Sequence, residues 1–79
     1  MYTAQINISL KPGVLDAEGK TVAKNLELLG YPIKKVTTLK VYEVEVEAKT
    51  KEEAERILDD ACRKMLANPV IQDYEIKLL

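Results

Sequence analysis

Apolar and polar residues alternate along the first stretch of the chain, with Tyr2, Ala4, Ile6, Ile8 and Leu10 on one parity and Thr3, Gln5, Asn7, Ser9 and Lys11 on the other. A period of two puts the apolar set on one face of a β-strand, predicted over roughly residues 2–11. Pro12-Gly13 breaks this strand, and the period changes. Val22, Ala23, Leu26 and Leu29 recur at i, i+1, i+4 and i+7, which is one stripe of a helix, while Lys20, Lys24 and Glu27 fall on the other side. Asp16 stands where an N-cap belongs and Glu18 adds negative charge at the amide-rich helix start. The helix is predicted to run to about Leu29. Gly30 fits the C′ position there, and Tyr31-Pro32 bars continuation.

Residues 33–48 read as two strands. Ile33 to Thr37 alternates weakly, whereas Tyr42, Val44, Val46 and Ala48 alternate strictly with Glu43, Glu45 and Glu47. A turn near Thr38-Leu39-Lys40 would make a hairpin, but no Asn-Gly or Asp-Gly pair marks it, so one long bent strand stands as the alternative. Thr50-Lys51-Glu52-Glu53 is a capping box and opens a second helix. Its apolar stripe is Ala54, Ile57, Leu58, Ala61 and Met65, with Cys62 one position to the side, and Asn68-Pro69 stops it. A last strand carries Tyr74, Ile76 and Leu78 on one face and Glu75 and Lys77 on the other. Tyr2, Tyr42 and Tyr74 share the inward parity of their strands, and Tyr31 lies in a connector.

The order strand, helix, strand, strand, helix, strand predicts an α+β fold over a single domain, 1–79: the ferredoxin-like split βαββαβ, an antiparallel sheet with two helices on one face. Right-handed crossovers give the strand order 4-1-3-2. The other sheet face, with Thr3, Gln5, Asn7, Ser9, Glu43 and Glu45, is left open.

Composition narrows the chemistry. Seventy-nine residues form a small core, which supplies roughly 3–5 kcal/mol of net stability. The single Cys62 allows no internal disulfide, and without histidine there is no structural zinc set, so oligomerisation or docking is the expected source of further stability. A net charge of −1 offers no field that gathers nucleic acid or anionic lipid. An alternating strand follows Met1 with no basic and apolar leader, and no run reaches the ~20 apolar residues of a membrane span. A cytoplasmic protein with a reduced thiol is the expectation.

The absence of histidine removes the side chain most used for acid-base work near neutral pH. Acylphosphatases share the layout but need a glycine-rich loop with an arginine after strand one, where this chain has Lys11-Pro12-Gly13-Val14 and no arginine before Arg56. Asp16 and Glu18 occupy the helix N-terminus that an anion would need. Glu43, Glu45 and Glu47 read as a solvated strand face rather than a cation site, and Cys62 as a buried inert thiol. Amino-acid-sensing modules use the same element order with a glycine-bearing loop after strand one, so a small-ligand-binding regulatory module is the alternative function.

Three segments recur as a set: Leu10 to Gly19 (LKPGVLDAEG), the helix ending Leu28 to Tyr31 (LLGY), and Cys62 to Tyr74 (CRKMLANPVIQDY). With them the chain resembles PurS-type proteins over essentially its whole length. The resemblance implies a non-catalytic accessory subunit of formylglycinamidine ribonucleotide synthetase, an ATP- and glutamine-dependent C–N ligase of purine biosynthesis. The expected partners are a synthetase (PurL-type) and a glutaminase (PurQ-type) subunit, together with a homodimer or homotetramer. ATP, Mg and glutamine would be used by the partner subunits, with no cofactor bound by this chain. Many relatives carry an arginine and a glycine where this chain has Val36-Thr37-Thr38-Leu39-Lys40. The rim formed by Lys11, Pro12, Gly13, Tyr31, Asn68 and Pro69 is the candidate partner-binding surface.

Overall fold

The computed structural model describes all residues, 1–79. Strand β1 spans Tyr2–Leu10, helix α1 Ala17–Leu28, β2 Lys40–Val46, α2 Lys51–Ala61 and β3 Gln72–Leu78. A π-helical turn, Cys62–Leu66, continues α2. The strands form an antiparallel sheet in the order β2-β1-β3. This is the expected α+β arrangement, with strands one, three and four of the sequence reading in their expected relative places.

The alternation along β1 becomes the core directly. Ala4, Ile6 and Ile8 are buried, with Ile6 opposite Tyr42 on one side and Ile76 on the other. From α2 come Leu58 and Cys62, and Ala67 closes the lower end. Cys62 therefore sits in the centre of the core and not beside it, while Met65, placed on the stripe by α-helical periodicity, is 84% exposed. The π turn is the reason: its Ala67 N–H donates to Cys62 O, five residues back, so the stripe passes from Cys62 to Leu66 and Met65 turns outward.

Both helix starts follow their sequence signals. Thr50 Oγ1 accepts from Glu53 N–H at 3.1 Å, and Glu53 reaches back to Lys49 N–H, one residue earlier than an ideal capping box. At the end of α1, Gly30 has φ +93°, Tyr31 N–H donates to Leu26 O and Gly30 N–H to Glu27 O. These two bonds make a Schellman ending, and the left-handed φ selects glycine.

The segment from Tyr31 to Leu39 departs from the sequence reading. It is not the second strand of a hairpin; it forms no ladder within the chain and leads straight into β2. Without a turn-forming pair near Thr38-Leu39-Lys40, nothing reverses the chain there. Helix α1 is consequently not laid over the sheet beside α2, as two helices on one face requires. It packs little against either the strands or α2. The molecule measures 52 × 24 × 14 Å with a radius of gyration of 16.0 Å. A compact 79-residue domain has about 12 Å.

Candidate functional site

Lys11, Pro12 and Gly13 end β1 and begin the loop to α1, where Gly13 takes φ +87°. Two bonds tie this loop to the other junction: Lys11 N–H donates to Ile71 O at 2.9 Å, and Lys11 Nζ pairs with Asp73 Oδ1 at 2.9 Å. Across from it, Asn68 organises its own turn. Its side-chain Oδ1 accepts from Val70 N–H at 3.0 Å, and its N–H donates to Gln72 Oε1 at 2.7 Å. Its backbone carbonyl accepts from both Ile71 and Gln72. The asparagine amide is thus an Asx turn holding Pro69 and Val70 on the surface.

The fold brings Lys11, Pro12, Gly13, Asn68 and Pro69 to one rim at the end of the β1–β3 pair. Tyr31 is not on it. That tyrosine lies past the far end of α1, about 18 Å of helix away, and is 56% exposed. Sequence reasoning grouped it with the rest because it shares a motif set, which says nothing of distance along the helix. Val70, 78% exposed beside Pro69, extends the rim with an apolar side chain that strand periodicity did not single out.

Beside Lys11–Gly13 a groove of about 570 Å³ opens between the loop, the first turns of α1 and residues 34–37. Leu10, Val14, Ala23 and Val36 supply its apolar lining, and Lys20, Lys34 and Lys35 stand around it. Asp16 holds the groove together. Its Oδ1 accepts from Gly19 N–H at 2.9 Å and its Oδ2 from Thr38 N–H at 2.7 Å, so one carboxylate caps α1 and pins the returning segment to it. Gly19 is required at this crossing, because a Cβ there would lie 2.5 Å from Val36 O.

The Thr38 and Gly19 amides stabilise the Asp16 carboxylate and lower its pKa from the usual 3.8. A carboxylate depressed by folding stabilises the fold above its unfolded pKa and loses that contribution as pH falls through the lower folded value. Melting temperatures of the parent and Asp16→Asn, followed from pH 6 to pH 2, are expected to differ at pH 6 and to converge below about pH 4.

Two further groups are shifted away from neutrality. Burial pushes the Cys62 thiol up, helped by the Asp59 charge, and the hydrogen bond to Asp59 raises Tyr74. Neither becomes an acid, base or nucleophile near pH 7 by these shifts. No three His, Cys, Asp or Glu side chains converge where a metal could be held, and no helix is long and apolar enough to cross a membrane.

The family model described as "Phosphoribosylformylglycinamidine (FGAM) synthase", PurS, matches residues 3–79. A phosphoribosylformylglycinamidine synthase subunit PurS from Archaeoglobus fulgidus is 51% identical over 74 residues, 92% of each chain. The crystal structure of Methanocaldococcus jannaschii PurS superposes with a TM-score of 0.91 at 42% identity, covering 100% of this chain and 96% of that one. A chain of the Thermotoga maritima PurLQS structure superposes with a TM-score of 0.89 at 37% identity, covering 99% and 96%.

Proposed function

The chain belongs to the PurS family of phosphoribosylformylglycinamidine synthase subunits, and from that membership we propose that its task is to join a synthetase subunit to a glutaminase subunit in de novo purine (IMP) biosynthesis. The observation that carries this reading is the length of the likeness: the whole chain corresponds to one component of a three-part PurLQS assembly. The side chains support a joining role, because no histidine is present and the one thiol is enclosed in the core. ATP, Mg²⁺ and glutamine are handled by the large subunits, and this chain binds none of them. The cytoplasm is where such a complex works.

Within this reading the rim of Lys11, Pro12, Gly13, Asn68 and Pro69 meets a large subunit. Its backbone is fixed by the Lys11–Ile71 bond and the Asn68 turn before any partner arrives, so little ordering entropy is lost on contact. Tyr31 belongs to a separate surface. Size-exclusion chromatography of the synthetase and glutaminase subunits, with glutamine and nucleotide present, is expected to show one co-eluting peak when this chain is added and two separate peaks when it is left out. Co-elution without it would remove the joining role.

A further inference from the structure

The groove between the β1–α1 loop, the start of α1 and residues 34–37 gathers positive charge that no contact within the chain uses. Four lysines line it against one acidic residue, Asp16. Lys11 is paired with Asp73, outside the groove. Lys20, Lys34 and Lys35 are exposed, and none has a carboxylate within ion-pair distance. Asp16 has both oxygens engaged by the Gly19 and Thr38 amides and offers no free acceptor to a lysine. The whole chain carries a net charge of −1, so the basic character belongs to this groove and not to the surface at large. A cleft with one dominant sign of charge and apolar walls focuses the field on whatever enters it.

The backbone wall adds directed donors. Thr38 N–H points at Asp16 and Val36 O at Gly19, so alternate residues of this segment turn their polar groups towards the start of α1, as they do along an extended strand. Val36 N–H and Lys34 N–H share that parity, and neither has an acceptor in the chain. Two amides and three ammonium groups thus stand without partners around an apolar floor of Leu10, Val14, Ala23 and Val36. No carboxylate of the lining is free to accept a hydrogen bond, and no aromatic ring is there for a nucleobase to stack on. The N-terminus of α1 takes no part, because Asp16 caps it.

We propose that this groove binds a small phosphate monoester, its head held by Lys20, Lys34, Lys35 and the Lys34 and Val36 amides, its organic body resting on Leu10, Val14, Ala23 and Val36. Three terminal oxygens carrying two charges engage that donor set more fully than a carboxylate with one charge does. The volume of about 570 Å³ is larger than inorganic phosphate fills and falls within the roughly 300–1,000 Å³ of small-molecule sites. A ligand so placed ties α1 to residues 34–37 a second time, beside the single carboxylate of Asp16 that joins them in the free chain. The site goes beyond the joining role and does not depend on it.

Titration of the ¹⁵N-labelled full chain with butyl phosphate tests this, at constant ionic strength and about pH 7.5, where the ester is a dianion. Saturable amide shifts are expected at Gly13, Lys34 and Val36. Inorganic phosphate and butyrate should each bind about tenfold more weakly, the first for want of an apolar body and the second for want of a charge. Lys20→Gln, Lys34→Gln and Lys35→Gln combined should abolish saturation, with unchanged core amides at Ala4 and Ile6 showing that the fold is intact. Lys49→Gln, Lys51→Gln and Lys77→Gln combined make the same change of charge at exposed positions outside the groove and should leave the affinity within about twofold. Shifts that never saturate, equal affinity for butyrate or inorganic phosphate, or equal weakening by the two triple variants overturns the site.

Discussion

Omitting this chain from a mixture of the synthetase and glutaminase subunits is expected to abolish glutamine-dependent formation of formylglycinamidine ribonucleotide while leaving the ammonia-dependent rate unchanged. The chain has no histidine, its thiol is enclosed, and Asp59 raises the pKa of Tyr74, so the expectation rests on placement and not on chemistry at these groups. What remains is placement. Ammonia released next to the site that consumes it is present at an effective concentration set by geometry, whereas ammonia released by a detached glutaminase is diluted into solvent. Added ammonia bypasses that loss. Parallel steady-state assays with glutamine and with ammonium, each with and without the chain, separate the two sources. Equal glutamine-dependent rates in both cases would show that the chain does not couple the subunits.

Ile6→Ala is expected to leave the isolated chain largely unfolded at low concentration. Ile6 is 0% exposed on the central strand, flanked by Tyr42 and Ile76 and clustered with Leu58 and Cys62. Removing such a side chain from a packed site costs about 2–5 kcal/mol. A core of this size supplies about 3–5 kcal/mol net. Far-UV circular dichroism against urea should therefore show little or no native baseline for the dilute variant, and raising its concentration should recover part of it, because assembly stabilises only the folded form. Met65→Ala is the contrast. At 84% exposed on the outside of the π turn it should shift stability by no more than about 0.5 kcal/mol, although the periodicity of the sequence puts both residues on apolar faces, Ile6 of a strand and Met65 of a helix.

That pair shows where sequence is informative and where it is not. Alternation in β1, the caps at Asp16 and Thr50, and Gly30 are local signals: each is decided by backbone geometry within a few residues, and each appears where the sequence put it. The stripe Val22, Ala23, Leu26 and Leu29 announces that α1 has an apolar side but is silent on which body covers it. Placing α1 over its own sheet assumed a reversal near Thr38, and no turn residues enforce one. The shared edge of Lys11, Pro12, Gly13, Asn68 and Pro69 was legible, because the exit of β1 and the entry to its antiparallel neighbour β3 lie at the same end of the sheet. Tyr31 was misgrouped for the opposite reason, since a shared motif carries no metric.

The five residues from Cys62 to Leu66 fill a turn that holds one residue more than an α-helical turn would. Elsewhere in α2 a deletion would rotate everything beyond it by roughly 100° and pull Cys62 or Leu58 off the sheet. Here Arg63, Lys64 and Met65 all point outward, so loss of one of them is expected to tighten the turn to α-helical spacing and leave Leu66 and Ala67 in place. On that expectation the segment is a length buffer between helix and final strand, a stretch where the chain can shorten without changing what faces the core.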